Sequence, residues 1–306
     1  MTQRILYILV PDTNIRPFDV TMAADAGYTQ ILPFTGIKTE DVTALVQDSI
    51  FCRPPGRFND TGIFLGGHDV HMATDMFLNA KKAMVGPFEV GVFVDPNGAY
   101  TTSASIVALV EQAVLRKTGT SLKGRSVAVF GAGPVGLSAA VLAAQQGAET
   151  TICQLTADDD EKAAKRFCQR YNVDVSWVSA QTHPEKIDVI KNKEVIICAA
   201  KAGIRILDKE VLEHGEKLHV VADTNAVPPT GVEGIDANDK FTPIEMGKAS
   251  FWGIGSMAIG NLKYKTQYGM LLKMQQSEKA ALLDFKECFE FATSELHSSD
   301  LKKDAA

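Results

Sequence analysis

The sequence has glycines at positions 131, 133 and 136, a spacing that is typical of phosphate binding. An apolar, β-branched run at 127–130 comes before them, and an Ala-rich run suited to a helix follows. A strand, a tight turn and a helix N-terminus in this order are the fingerprint of a dinucleotide site, whose phosphates bind to the unpaired N–H groups of the helix. The predicted cofactor contacts in this segment are Gly131, Gly133, Pro134, Val135 and Gly136.

The residues that would bind the adenosine ribose are less clearly indicated by the sequence. NAD sites usually carry an Asp or Glu about 20 residues after the motif, at the end of the next strand. Here that strand ends at Gln154, whose amide can bond a ribose hydroxyl. The acidic run at 158–161 disfavours a 2′-phosphate, although acids are also common in the first turn of a helix. The residues therefore favour NAD and leave NADP open.

Composition argues against other classes of function. The chain of 306 residues has a formal charge of -6, which argues against general nucleic-acid binding. Its apolar runs are too short for a membrane span, and its first residues lack a signal-peptide cleavage pattern. The five dispersed cysteines fit buried thiols in a reducing compartment, so we expect a cytoplasmic protein. His68 and His71 come closest to a metal-ligand pair, but we expect a helix surface there and no metal.

The strand and helix patterns place these residues in an α/β protein with two domains. Strands alternate with helices from the first residues, which implies a parallel sheet with helices on its faces. From about residue 122, a Rossmann-type series of strands and helices surrounds the glycine motif. The predicted strands are 5–10, 30–34, 61–65 and 90–94 in the first domain, and 126–130, 149–154, 173–178, 194–199, 218–222 and 250–254 in the second.

The alternation of predicted strands and helices stops after Gly260. It is predicted to form helices at 261–276 and 282–296 with no further strand, and we expect these helices to complete the first domain. The predicted domains are 1–103 plus about 264–306 for the substrate, and 104–263 for the dinucleotide.

The segment 95–103 follows the fourth predicted strand and leads into a long helix at 104–117. Loops at the carboxyl ends of strands are where α/β proteins place ligand groups. A plain turn capped by a Thr or Ser fits the same residues equally well. Both interpretations stay open.

Several segments together resemble the methylene-tetrahydromethanopterin dehydrogenases of one-carbon metabolism in methylotrophic and related bacteria. The resemblance extends in order, with matching spacing, to about residue 296. The segments that carry it are 17–20, 48–51, 61–67, 95–98 with 101–102, 131–136, 223–231 with 234–236, and 253–263.

The resemblance implies two α/β domains in a homo-oligomer, with the pterin in the cleft between the domains and the nicotinamide at its floor. It also implies a hydride transfer from the methylene carbon of the pterin to NAD or NADP. NADP-only members carry a Gly-Arg-Lys-like run after the second Rossmann strand. This chain has Gln154-Leu-Thr156 there and looks closer to members that accept either cofactor.

The same resemblance gives roles to individual residues. It places Lys263 in the cleft, where we predict that its ammonium orients the pterin, although a lysine at a helix start also fits the position. Asp19 is either a partner of the helix dipole or the acceptor for the N–C–NH₂ edge of the pterin. We predict Lys263 and Asp19 as catalytic residues. The further predicted contacts are Phe18, Asn97, Thr101 and Thr102 for the pterin, and Asn225 for the nicotinamide.

Two other functions remain open at this level. A related two-domain dehydrogenase acting on methylene-tetrahydrofolate or a shikimate-like acid would share the fold. A carboxylate substrate would need a cationic clamp in the first domain, where Arg53 and Arg57 are the main candidates. A nicotinamide-binding regulator without catalysis is the alternative outside enzymes.

Overall fold

The computed structural model describes residues 3–304, without the side chains of Pro55 and residues 301–304. The chain forms two compact units. Unit 1 comprises Met1–Thr101 and Tyr264–Phe291, and unit 2 comprises Thr102–Lys263 and Ala292–Ala306. The predicted substrate domain contained all of 264–306, whereas residues 292–306 group with unit 2.

The strands and helices alternate along the chain. In chain order they are β1 (Ile5–Leu9), α1 (Pro17–Asp25), β2 (Gln30–Phe34), α2 (Val42–Phe51), β3 (Thr61–Leu65), α3 (Val70–Lys82), β4 (Gly91–Val94), α4 (Ala99–Thr118), β5 (Ser126–Phe130), α5 (Pro134–Gln145), β6 (Glu149–Gln154), α6 (Glu161–Arg170), β7 (Ser176–Ser179), α7 (His183–Ile190), β8 (Val195–Cys198), α8 (Lys209–Leu212), β9 (Val220–Asp223), β10 (Lys240–Met246), β11 (Ala249–Ile254), α9 (Ser256–Gln276), β12 (Leu282–Leu283) and α10 (Phe285–Asp304).

Unit 1 is built on a parallel sheet with the strand order β12-β4-β3-β1-β2. Its central strand β3 and the neighbouring β4 are buried along their whole length, as expected for apolar runs with helices on both faces. The prediction of no strand after Gly260 is wrong, because β12 pairs with β4 and α10 begins only at Phe285. Two leucines suit a helix or a strand equally, and here the free edge of β4 decides between them.

Unit 2 is built on a sheet with the strand order β10-β11-β9-β8-β5-β6-β7. Apart from β10, this is the order of the doubly wound dinucleotide-binding fold. The predicted α/β class with a Rossmann-type unit is therefore confirmed. The antiparallel edge strand β10 is an addition that the sequence pattern did not predict.

Further predicted boundaries move. The long helix expected at 104–117 is α4 at Ala99–Thr118, and the last helix, expected to end at 296, extends to Asp304. The strand expected at 173–178 is β7 at Ser176–Ser179, and the helix expected from 261 begins at Ser256. Within residues 3–304, the helices are all too short or too polar to cross a membrane.

Candidate functional site

The turn between β5 and α5 is shaped by two glycines. Gly131 has a φ of +113°, and a Cβ there would lie 2.6 Å from the carbonyl oxygen of Ala199. At Gly136 a Cβ would lie 2.0 Å from the carbonyl oxygen of Gly131, so the first turn of α5 rests directly on the backbone of the preceding turn. A side chain at either position would push α5 away from β5.

The start of α5 is open where the sequence predicts the pyrophosphate. Gly133 is the N-cap residue, no side chain caps the helix there, and a Cβ at Gly133 would meet nothing within 4 Å. Pro134 occupies the first turn, where its missing N–H costs nothing. Val135 and Gly136 follow in the same turn, where an α-helix leaves its N–H groups without internal acceptors. The arrangement suits an anion held by backbone N–H groups and the helix dipole.

Two acids of the run beyond β6 accept hydrogen bonds from nearby backbone N–H groups. Asp159 accepts hydrogen bonds from the backbone N–H groups of Leu155 (2.8 Å) and Thr156 (3.1 Å). Asp160 is the N-cap of α6, and its hydrogen bond from the N–H of Ala163 lowers the pKa of Asp160. Gln154 is half-buried at the end of β6. The acids therefore shape the loop and the helix start, and Asp159 also places a carboxylate next to the end of β6.

The loops after β8 and β9 are tied together through Asn225. Its side-chain oxygen accepts from the N–H groups of Gly203 (3.2 Å) and Val227 (2.9 Å), and its amide nitrogen donates to the carbonyl of Pro229 (2.9 Å). Asn225 is only 4% exposed. These contacts give the side chain a structural role, and its contact with the nicotinamide stays a prediction.

Asp223 is a buried carboxyl at the end of β9. Its two oxygens accept from the N–H groups of Asn225 and Val232, each at 3.0 Å. Burial raises the pKa of Asp223 in spite of these donors. The residue holds the loop at 225–232 against the end of the sheet, close to the place where α/β proteins bind ligands.

In unit 1, the turn between β4 and α4 is closed by its own side chains. Oδ1 of the fully buried Asp95 accepts from the N–H groups of Tyr100 (2.9 Å) and Thr101 (3.2 Å). Oδ2 accepts from the hydroxyl of Thr101 at 2.7 Å. Thr101 is itself fully buried, whereas Asn97 is exposed in a left-handed conformation with a φ of 51°. The cap is thus an aspartate, not the Thr or Ser of the sequence interpretation, and the substrate roles of Thr101 and Asn97 stay predictions.

Phe18 and Asp19 lie in the first turn of α1. Phe18 is half-buried, with the guanidinium carbon of Arg16 at 5.9 Å from its ring centroid. Asp19 is 6% exposed, and its Oδ1 accepts from Nε2 of Gln267 at 2.9 Å. A buried carboxylate needs such a donor whatever its role, so the pairing with Gln267 fits both interpretations, and the catalytic role of Asp19 stays a prediction.

Lys263 and Thr102 belong to unit 2 and are both half-buried. Since α9 begins at Ser256, Lys263 lies beyond its first turn and is not a lysine at a helix start. Lys265 on the same helix is exposed. The catalytic role of Lys263 and the pterin contact of Thr102 stay predictions.

The two histidines have separate local contacts. His68 is exposed, with Nδ1 at 2.6 Å from a carboxylate oxygen of Asp12. His71 lies in the first turn of α3, where its backbone N–H donates to the N-cap Asp69. Among the residues that the structure describes, no group of three or more His, Cys, Asp and Glu side chains is arranged to hold a metal ion.

Sequence reasoning missed three residues that shape these sites: Asp95, Asp223 and Gln267. Asp95 directly follows the apolar strand β4 and Asp223 is the last residue of β9, and strand ends are where α/β proteins carry polar groups. Gln267 has no local signal, because its partner Asp19 is far away in the sequence and the pairing exists only in the fold.

Most of the chain matches known protein families and relatives. Residues 17–97 match the family described as "Methylene-tetrahydromethanopterin dehydrogenase, N-terminal", and residues 107–221 match "Alanine dehydrogenase/PNT, C-terminal domain". Over 296 residues the chain is 42% identical to the NAD(P)-dependent methylenetetrahydromethanopterin dehydrogenase of Methylorubrum extorquens, covering 95% of this chain and 98% of that protein. The bifunctional protein MdtA of the same organism is 32% identical over 293 residues, covering 95% and 99% of the two chains.

Solved structures share the fold at low identity. Shikimate 5-dehydrogenase from Listeria monocytogenes, in complex with shikimate and NAD, has a TM-score of 0.53 at 14% identity and covers 96% of each chain. Ornithine carbamoyltransferase from Pyrococcus furiosus has a TM-score of 0.55 at 10% identity, covering 90% of this chain and 86% of that one. Because a dehydrogenase and a transferase share this architecture, the fold alone does not identify the reaction.

Proposed function

Because the chain belongs to the methylene-tetrahydromethanopterin dehydrogenase family, we propose that it transfers a hydride from the methylene carbon of methylene-tetrahydromethanopterin to NAD(P). The chain is an NAD(P)-dependent oxidoreductase. The observation that carries the proposed substrate is the 42% identity to a dehydrogenase of this pterin over 95% of the chain. The products are the methenyl cation of the pterin and NAD(P)H.

The β5–α5 turn fits a dinucleotide. At Gly131 and Gly136 a Cβ would clash with backbone atoms, whereas the space around Gly133 is open. Gly131, Gly133, Pro134, Val135 and Gly136 would hold the pyrophosphate, and Gln154 would bond the adenosine ribose. When bound, the nicotinamide accepts the hydride at its C4 position.

Gln154 and Asp159 support a preference for NAD over NADP. A 2′-phosphate on the ribose would come near the end of β6, where Asp159 is fixed by the N–H groups of Leu155 and Thr156. A carboxylate there repels a phosphate, and Gln154 supplies no positive charge to offset this. NADP remains a substrate in this proposal, with a higher KM.

The residues that we assign to the pterin act by holding it in place. The two nitrogens beside the methylene carbon stabilise the product cation with their lone pairs, so the protein needs no general base at carbon. What it supplies is orientation and the exclusion of water. In this assignment the carboxylate of Asp19 accepts the N–C–NH₂ edge, Phe18 contacts the ring face, and Asn97 and Thr102 donate to the remaining polar atoms. The hydroxyl of Thr101 donates to Asp95, so Thr101 would support the substrate site by fixing this turn.

Lys263 is assigned to the pterin carbonyl or a ring nitrogen. An ammonium does not stabilise a cationic product, so its contribution is to orient the ring. Replacing Lys263 with Ala should lower the turnover of the pterin about 100-fold, within the range of an orienting contact, and leave the Kd for NAD(P) unchanged. Lys265→Ala on the exposed part of the same helix is the matched control and should keep normal turnover. Normal turnover of Lys263→Ala would contradict the assignment.

The substrate is tested by steady-state kinetics with three candidates. Methylene-tetrahydromethanopterin, methylene-tetrahydrofolate and shikimate are each offered with NAD and with NADP, and NAD(P)H formation is followed by its absorbance. We expect the highest kcat/KM for methylene-tetrahydromethanopterin. A higher value for either other substrate would contradict the proposal.

We further propose a cytoplasmic homo-oligomer that binds no nucleic acid. The formal charge of -6 supports the last point. Light scattering of the purified chain measures the oligomeric mass, and a monomer at working concentration would contradict this part of the proposal.

A further inference from the structure

The carboxylate of Asp19 is held by a buried amide inside unit 1. Nε2 of Gln267 donates to Oδ1 of Asp19 at 2.9 Å, and the two residues are 0% and 6% exposed. A buried carboxylate is costly without hydrogen-bond donors, and a donor in a fixed position also restricts its rotation. The contact therefore stabilises the Asp19 carboxylate and sets the direction of its oxygens.

Gln267 is well placed for this task, because its backbone cannot move easily. It lies inside α9, a helix of 21 residues, with the buried Met270 and Leu271 in the next turn. The regular helix and the packed neighbours fix the starting point of the glutamine side chain. The amide is thus in place before a ligand binds.

A second glutamine on α9 makes a comparable contact without touching a predicted site residue. Gln275 is 4% exposed, its Nε2 donates to the carbonyl of Ala26 at 3.0 Å, and its Oε1 accepts from Nη1 of Arg4 at 2.6 Å. Ala26 is the C-cap of α1, whereas Asp19 lies in its first turn. The two glutamines therefore hold α1 at its two ends, and only Gln267 binds a side chain that we assign to the substrate.

We propose that Gln267 is a positioning residue that aligns the carboxylate of Asp19 with the N–C–NH₂ edge of the pterin. The inference rests on the proposed function, in which Asp19 holds that edge. A carboxylate accepts two parallel N–H bonds from such an edge only when its plane matches that of the ring. The Gln267 amide is a donor that restricts this plane, and its loss weakens the two bonds to the edge.

The test uses the full-length chain with Gln267→Met, which keeps the length of the side chain and removes the donor. We expect the kcat/KM for methylene-tetrahydromethanopterin to fall about tenfold or more, as for the loss of a hydrogen bond to a charged group. The Kd for NAD(P) should stay within about twofold, since unit 2 is untouched. Gln275→Met is the control: it should lower the melting temperature by a similar amount and keep the kcat/KM within about twofold. Equal kcat/KM values for the two variants would overturn the inference.

A double-mutant cycle shows whether Gln267 acts through Asp19. Asp19→Asn should lower the kcat/KM for the pterin, and adding Gln267→Met should lower it by no more than a further factor of about two. A multiplicative loss would overturn the positioning role while leaving the role of Asp19 intact. Unchanged kcat/KM for Asp19→Asn would instead overturn the assignment of Asp19 and the inference with it.

A second variant covers a failure of Gln267→Met to fold. Gln267→Asn keeps an amide but is one methylene shorter, so it withdraws the donor from Asp19. It should show the same pterin-specific loss, and a normal kcat/KM for this variant would count against the inference.

Discussion

The two units contain the same local construction, a buried strand that turns into a long helix, and complete it in opposite ways. In unit 2 the turn between β5 and α5 is made of glycines, and no side chain caps the helix. In unit 1 the turn between β4 and α4 is closed by Asp95, whose carboxylate accepts from two backbone N–H groups and from the hydroxyl of Thr101. One helix start has no side-chain cap, and the other is capped by a side chain of the protein.

The difference between the two turns decides which helix start can accept an anion. An uncapped helix start offers N–H groups and a positive dipole end to an anion. A buried aspartate at the same place consumes those donors and brings a negative charge that would repel phosphate. The β5–α5 turn therefore suits an anion such as a pyrophosphate, whereas the β4–α4 turn is closed by its own carboxylate and does not.

The largest effect is expected at Gly136. An alanine Cβ there would lie 2.0 Å from the carbonyl oxygen of Gly131, and backbone cannot yield as a side chain can. We expect Gly136→Ala to lower the free energy of unfolding by about 4 kcal/mol or more and to abolish NAD(P) binding. Chemical denaturation and fluorescence titration measure the two quantities. Native stability in this variant would show that the helix does not rest on the turn.

Gly133→Ala should separate binding from stability. The added Cβ meets nothing within 4 Å and the φ of -74° suits alanine, so the free energy of unfolding should change by no more than about 0.5 kcal/mol. The methyl group occupies the open space at the helix start, and we expect the Kd for NAD(P) to rise at least about tenfold. An unchanged Kd would mean that the pyrophosphate binds elsewhere.

Asp95→Ala should lower the stability of the protein and leave NAD(P) binding unchanged. It removes the acceptor for buried N–H groups, so the free energy of unfolding should fall by about 2 to 3 kcal/mol. The Kd for NAD(P) should not change, because the cap lies in unit 1. Asp95→Asn keeps one acceptor oxygen and should lose less stability. Weaker NAD(P) binding by a stably folded Asp95→Ala would contradict the division of roles between the two turns.

The smallest effect concerns Asp284, a half-buried acid of unit 1. Burial, together with the carboxylate of Glu287, raises the pKa of Asp284 from 3.8 to about 7. Because the folded state binds this proton more tightly than the unfolded state, the contribution to stability is full below pH 3.8 and is lost as the pH rises to about 7. Asp284→Asn should flatten the decline of the melting temperature over this range. An unaltered slope would show that the carboxyl does not titrate there.

The sequence patterns were sufficient where local sterics decide the structure. The β5–α5 turn followed from the spacing of Gly131, Gly133 and Gly136, since only glycine fits the close backbone contacts at the first and the last of these positions. Most strands of both sheets followed from apolar runs. In both cases the signal and its cause lie in the same few residues.

The sequence patterns did not predict strands or side-chain contacts that form between residues far apart in the chain. Strand β12 exists because β4 offers a free edge, and β10 forms through pairing with β11 in spite of Pro243. The cap by Asp95 and the pairing of Asp19 with Gln267 likewise depend on side chains that meet only in the fold. The sequence therefore predicted the geometry of the β5–α5 turn well, and it did not predict the contacts of Asp95 and Asp19.

Isotope transfer tests the proposed reaction most directly. Methylene-tetrahydromethanopterin carrying two deuterium atoms on its methylene carbon is incubated with the purified chain and NAD or NADP, and the reduced nicotinamide is analysed by mass spectrometry. We predict one deuterium in each molecule of reduced nicotinamide and one left on the methenyl carbon. Reduced nicotinamide without deuterium, or no reduction at all, would contradict hydride transfer from this pterin.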